Sequence, residues 1–306
     1  MYKRQGPGAP RTIVAADGNL DAFERLAQET YALDSDNSTP NFVNNEAYYR
    51  VQGLNVDGTR NPDYEVLLDV DNLVGYITEI LYSGNFDAPI TRFGGNDSLN
   101  NWQAIRDRTG DEGFKYFVHD AEHSLRSVDI NRNGPFNDEQ FDLFESFNPQ
   151  TLHQRLMANA EYRLAFADSI QNNFFNDGPY TPENLIARWD AAAAEVGPAI
   201  IAESARWGDA SSRNNGFRED NPLLRSDWEA AIANVRNNIL VQRHAVTIAQ
   251  LQNTFIELQD NNGNFNIPVD APLFPSIDAP DFLVDGIGQH GGEITCLLYT
   301  SPSPRD

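Results

Sequence analysis

The segment "GFKYFVHDAEHSL" (113–125) sets down His119, Asp120, Glu122 and His123 directly after a run that alternates like a strand. Four chemistries suit these residue types. A polar turn needs only histidines that satisfy nearby backbone groups. The spelling H-x-x-E-H formally matches the inverted zincin signature, which demands both histidines on one helix face and a third ligand downstream. A strand running into His119 would put the two histidines in different backbone geometries instead. The next stretch, "DINRNGPFNDEQ" (129–140), opens like a calcium loop, with Asp129, Asn131, Asn133 and Gly134 at positions one, three, five and six. Pro135 and Gln140 break that pattern at positions seven and twelve, which favours an Asx-rich turn. The fourth chemistry is phosphoryl transfer: one aspartate orients an acceptor hydroxyl, a second holds Mg²⁺ against phosphates, and an asparagine between them assists. Asp87, then Asn96 or Asn101, then Asp120 occur in that order.

Any of these chemistries depends on the elements that carry the residues. "LLDVDNLVGYITEILYSGN" reads as the clearest helix, with Asp69 as N-cap, Gly84 as its end, and Val70, Leu73, Val74, Ile77, Ile80 and Leu81 on one apolar face. "NWQAIRD" and "GFKYFVH", joined by "RTGDE", predict a β-hairpin. Residues 17–31 predict an amphipathic helix, and "NNEAYYRVQ" a second, short one. From about residue 140 the pattern is mainly helical. Pro182 opens a helix running to about Arg206, and "SDWE" (226–229) predicts a capping box before a helix ending near Gln259. The expected fold class is α+β, mainly α, with a small hairpin near the middle.

Composition narrows the partners. Aspartate and glutamate number 45 against 22 lysines and arginines, a net charge of −23, and the pI is about 4.4. Such a chain repels nucleic acid and anionic membranes. No apolar run approaches the roughly 20 residues that span a bilayer. The ends "MYKRQ" and "CLLYTSPSPRD" resemble translated sequencing-adapter read-through, as found in metagenomic sequence, so residues 1–5 and 296–306 are set apart from the fold. Neither end is then a natural terminus, and a signal peptide is not observable. The single cysteine, Cys296, lies in the excluded tail. Residues 6–258 form the expected domain, and 259–295, rich in Pro, Asn and Asp, a linker toward a downstream module.

The stretches "LLDVDNLVGYITEILYSGNFDAP", "NNWQAIRD" and "GFKYFVHDAEHSL", in this order, resemble the spore-coat-protein-H (CotH) family of atypical protein kinases. "FNPQTLHQRLMANAEYRLAFADSIQNNFFNDG" and "AIIAESARWGDA" resemble its large secreted branch. The resemblance implies the C-terminal, catalytic lobe of a kinase-like fold, with the N-terminal lobe largely missing. It also implies ATP and Mg²⁺ as cofactors, a protein Ser/Thr hydroxyl as acceptor (in Ser-rich, basic segments), and a secreted bacterial protein. The family's D-V-x-N helix start falls on Asp69-Val70-Asp71-Asn72, and its N-x-D loop on Asn85-Phe86-Asp87, which makes Asp87 the catalytic aspartate. Its metal-binding asparagine falls on Asn101, with Asn96 as a further cofactor contact. Its P-W-D-x-D falls on Val118-His119-Asp120-Ala121-Glu122, so Asp120 is a metal ligand and Glu122 stands where the second aspartate would be. The Pro-Trp is absent. There is no glycine-rich phosphate loop, and Lys115, the only lysine beyond residue 5, sits beside the metal-site strand. These departures keep a second reading open: a non-catalytic extracellular scaffold or adhesion module on the same fold.

The remaining singular residues have plainer readings. Trp102, Trp189, Trp207 and Trp228 read as packing aromatics, His153 and His244 as structural residues in helices, and "RWGDASSRNNGFRED" as a solvated connection.

Overall fold

The computed structural model describes residues 2–3, 12–33, 40–94, 98–134, 136, 144, 147–175, 177–210 and 221–262. Its centre is α3 (Val70–Ser83), and the chain is arranged around that helix. Asp69 caps its start by accepting the Asn72 N–H at 2.9 Å, as the sequence predicts. At its end Gly84 takes a left-handed φ of 59°, a conformation glycine adopts without the Cβ penalty. Leu73, Val74, Ile77, Ile80 and Leu81 are all buried. Each such side chain contributes on the order of 2 kcal/mol of burial free energy, which ties the helix to the core.

Two helices precede it, α1 (Asp21–Tyr31) and α2 (Asn45–Arg50). Among the described residues the strands come in three antiparallel pairs: β1 (Tyr2–Lys3) with β2 (Thr12–Ile13), β3 (Ile90–Thr91) with β4 (Ser98–Leu99), and β5 (Trp102–Ile105) with β6 (Lys115–Val118). The last pair is the predicted hairpin, in the register Trp102 opposite Val118 and Ile105 opposite Lys115. The β3–β4 pair is additional to the sequence reading, because two-residue strands carry no periodicity.

The hairpin is bound to α3 in two places. The Phe114 N–H donates to Leu67 O at 2.9 Å and the Asp69 N–H to Phe114 O at 3.3 Å. A Cβ at Gly113 would lie 2.2 Å from the Leu68 carbonyl carbon, so only glycine permits this approach. Further along, Asn72 grips the β6 main chain at Tyr116. Trp102 and Tyr116 fill the interior beside Phe23, with Trp102 and Phe23 centroids 5.7 Å apart.

Helices α4 (Pro149–Leu156), α5 (Ala160–Phe174) and α8 (Val241–Asn262) close the other sides of α3. Helix α6 (Pro182–Trp207) begins at Pro182, as predicted, and lies against α7 (Arg225–Asn234) and α8. Gly197 faces the Trp228 ring, where a Cβ would make ordinary van der Waals contact. Two expectations need correction here. The helix begins at Arg225 rather than after Ser226, and the Asp227 carboxylate takes the Leu224 N–H at 2.7 Å, supplying the cap from inside the first turn. A π-helical segment, Val235–Leu240, then joins α7 to α8. The helix ends at Asn262, close to the Gln259 end predicted for it, since no breaker precedes Gly263. Of the four tryptophans, Trp207 departs from its reading as a packing aromatic: it is 53 % exposed, with the Arg206 guanidinium 4.9 Å above its ring.

Candidate active site

The left-handed Gly84 turns the chain out of α3 directly into Asn85-Phe86-Asp87. Asn85 is wholly buried, and its Oδ1 accepts the Asp87 N–H at 3.1 Å, closing a tight Asx turn that fixes the Asp87 backbone. The Ala88–Pro89 peptide that follows is cis. The Arg92 N–H donates back to Phe86 O at 2.9 Å, and the Asn100 N–H to Pro89 O at 2.8 Å, so the loop folds over on itself. Asp87 ends only 6 % exposed.

Asn101 joins this loop to the segment after β6. Its Nδ2 donates to Asp87 Oδ2 at 2.9 Å and reaches the backbone oxygen of Asp120 at 3.4 Å. Both Asn101 (φ 38°) and Asp120 (φ 53°) have left-handed backbones. Such conformations are uncommon outside glycine and persist where the surroundings impose them. Asp87, Asn101 and Asp120 are thus brought to one place. Asp87 is buried and Asp120 exposed, so the group has a protein side and a solvent side.

The two loops are also stitched together below the carboxylates. The Phe86 N–H donates to His123 O at 3.2 Å, and the Leu125 N–H to Ser83 O at 2.7 Å. His123 then packs its ring edge-on against Phe93 at 4.9 Å, and its Nε2 stands 3.3 Å from Glu122 Oε1. Glu122 is exposed and has no hydrogen bond to Asp87 or Asn101 among the described residues. His119 is exposed, at the point where β6 ends. His119 and His123 therefore share no helix face, which removes the inverted-zincin geometry. Among the described residues no three His, Cys, Asp or Glu side chains are grouped to hold a metal ion. In the calcium-like stretch Asn131 Oδ1 accepts the Asn133 N–H at 2.8 Å, the Asx turn preferred from the sequence. Asn96 lies outside the described residues. Lys115 Nζ pairs with Glu112 at 2.6 Å and stands 3.8 Å from Asp69, on the start of α3 rather than beside Asp87.

Three positioning residues escaped the sequence reading. Asn72 was noted only as part of a motif, yet its amide holds strand β6 to α3. Arg132 is buried and donates to Ile90 O; burial, reinforced by the nearby Arg92 charge, lowers its guanidinium pKa to about 10, against a smaller opposing pull from Asp87. Arg243 reaches from α8 to the exit of α3, donating to Leu81 O at 2.6 Å, Tyr82 O at 2.7 Å and Val128 O at 2.7 Å. It satisfies the open carbonyls of that helix end and places a positive charge where the helix dipole is negative. The only sequence trace of this role is an arginine in phase with the apolar positions of α8.

The histidines of the helices are structural, as read. His153 is buried with Nδ1 2.8 Å from the Tyr162 hydroxyl, and His244 Nε2 lies 2.8 Å from Phe174 O.

Residues 35–246 match the family described as CotH kinase protein. The chain belongs to the CotH kinase family. The match begins ahead of α2 and ends within α8, so it takes in the Asp87 loop, the hairpin, Asp120 and Arg243. No curated protein and no solved structure matches the chain. Membership supports a kinase-like activity in general, and the α+β, mainly helical architecture agrees with the kinase-like lobe that the sequence resembles. No helix among the described residues is long and apolar enough to cross a membrane.

Proposed function

We propose that this CotH-family chain is an ATP-dependent protein kinase that moves the γ-phosphoryl group to a Ser or Thr hydroxyl of a protein substrate. One observation carries the reading: the Asn101 amide touches the Asp87 carboxylate and the Asp120 backbone together. Phosphoryl transfer requires an acceptor-orienting carboxylate and a metal-binding carboxylate held at a fixed separation. In this reading Asp87 accepts a hydrogen bond from the acceptor hydroxyl and takes its proton. The new O–P bond forms as the bond to the departing ADP breaks. Asn101 keeps the Asp87 carboxylate aimed while its Nδ2 is occupied, which leaves its Oδ1 for a hard cation. Asp120, on the solvent side, would hold that cation, with Glu122 as supporting ligand and Asn96 as a further nucleotide contact. Oxygen-only donors of this kind suit Mg²⁺, which keeps several waters and takes its other ligands from phosphates. When bound, Mg²⁺ would neutralise charge developing on the phosphates.

The test is transfer of labelled γ-phosphate by the full-length protein. Asp87→Asn should abolish transfer while leaving nucleotide binding nearly unchanged, and Asp120→Ala should abolish Mg²⁺-dependent ATP binding in calorimetry. Transfer by Asp87→Asn equal to that of the parent would sink the assignment.

The second reading, a non-catalytic scaffold, draws support from the burial of Asp87 and its engagement by Asn101, which would leave the carboxylate serving the loop. A folded full-length protein that binds no Mg²⁺–ATP would favour it.

A further inference from the structure

We propose that the cavity between α3 and α6 is a binding site for an organic cation bearing an alkylammonium group. The cavity measures about 280 Å³ and is walled by Glu79, Tyr82 and Ser83 of α3, Tyr180, and Leu185 and Trp189 of α6. That is far more room than one ordered water requires, which is roughly 10–15 Å³.

Two polar atoms in these walls are buried without a hydrogen-bond partner: Glu79 Oε2 and the Tyr82 hydroxyl oxygen. A carboxylate with one oxygen withdrawn from water and left unpartnered is destabilised, and a donor of opposite charge relieves it. Tyr82 and Tyr180, stacked at 4.8 Å, and the Trp189 indole supply aromatic walls, with aliphatic Leu125, Leu185 and Leu240 and the Arg188 side chain completing the lining. Aromatic surfaces around one acid are the chemistry that recognises ammonium groups, since the rings attract a cation while shedding water from it. A neutral guest would leave the acid uncompensated. An anion would meet both Glu79 and a chain of net charge −23.

Burial raises the Glu79 carboxyl to about 7, against a smaller opposing pull from the Ser83 hydroxyl. The neighbouring titratable groups are the Tyr76, Tyr82 and Tyr180 phenols, Arg188 on α6, and Arg243 reaching in from α8. Arg243 is committed to the carbonyls at the end of α3, and Arg188, which also lines the cavity, is exposed and forms no ion pair or hydrogen bond with Glu79 among the described residues. The place of a counter-charge for Glu79 therefore falls to a guest. That guest would touch Ser83 and Leu125, the residues whose backbone bond joins the Asp87 loop to the Asp120 segment. The inference stands on the cavity alone and is independent of whether Asp87 is catalytic.

Calorimetry on the intact protein tests it, with n-butylammonium, Nα-acetyl-lysine methylamide and uncharged n-pentanol as probes. At pH 8 butylammonium should bind saturably, and at pH 6 about tenfold more weakly, as Glu79 takes up its proton. Glu79→Gln should weaken binding and erase the pH dependence. Ala192→Phe, on the α6 wall, should block the cavity with Glu79 intact, and it decides the matter if the first variant does not fold. Binding of the lysine amide as well would identify a protein side chain as the source of the ammonium. Binding of the free amine alone would identify a small metabolite. No binding of either cation to the parent protein, equal binding of pentanol, or full binding by the folded variants would overturn the proposal.

Discussion

Asn72 holds the Tyr116 main chain from both sides, 44 residues away in sequence: its Oδ1 accepts the Tyr116 N–H at 2.5 Å and its Nδ2 donates to Tyr116 O at 3.3 Å. A single side chain thereby replaces a missing strand neighbour for β6, and it does so from the first turn of the helix that delivers Asp87. The distance between the two carboxylate-bearing segments is set at one end by this clamp and at the other by the Leu125–Ser83 bond.

Asn72→Ala should destabilise the protein by about 1–3 kcal/mol, because a part-buried backbone donor and acceptor both lose their partner. Urea denaturation followed by tryptophan fluorescence would measure this. Asn72→Asp restores only the acceptor, so it should recover part of the loss.

Arg243 offers a harsher case. Arg243→Met keeps much of the volume but strands the carbonyls of Leu81, Tyr82 and Val128. A loss of about 3 kcal/mol or more is expected, since each abandoned buried group costs about 1–3 kcal/mol. Hydrogen exchange should quicken across residues 83–87 and at Leu125 before it changes in α4. Arg236→Met, which removes an exposed pair with Asp190, should change stability by under about 1 kcal/mol.

His153 makes stability depend on acidity. Burial lowers its pKa from 6.5 to about 3, so the unfolded chain binds a proton that the folded one refuses. Its contribution is complete above pH 6.5 and declines as the pH falls toward 3, amounting to about 2 kcal/mol lost between pH 7 and pH 5. His153→Gln should show a shallower fall than the parent over that interval when denaturant midpoints are compared at both pH values. Parallel slopes would count against the assignment.

What the sequence disclosed followed from local signals. Helix α3 was legible because Asp69, Gly84 and a 3.6-residue apolar pattern all agree, and the hairpin because alternation brackets a Gly-Asp turn. The calcium-like loop could be set aside from Pro135 and Gln140 alone. Asp87, Asn101 and Asp120 follow one another along the chain, but their meeting depends on Asn85, Gly84 and two left-handed backbones that no periodicity announces. Asn72 and Arg243 were opaque for a related reason. A polar residue's tertiary partner is a main-chain atom, and main-chain atoms carry no sequence. The displaced cap at Leu224 shows the same limit at short range, where Ser226 offered the better side chain and Asp227 the better geometry.

The π-helical segment Val235–Leu240 acts as a phase shifter for everything after it. One residue more per turn rotates the downstream helix by about 100° relative to an uninterrupted α-helix. Ile239, Leu240, Arg243, Thr247, Ile248 and Leu251 face inward only with that offset in place, whereas α7 ahead of it buries no residue. Deletion of Asn237 alone would leave every hydrophobic side chain present and turn Arg243 away from α3, so the helix tolerates substitution there far better than a change of length.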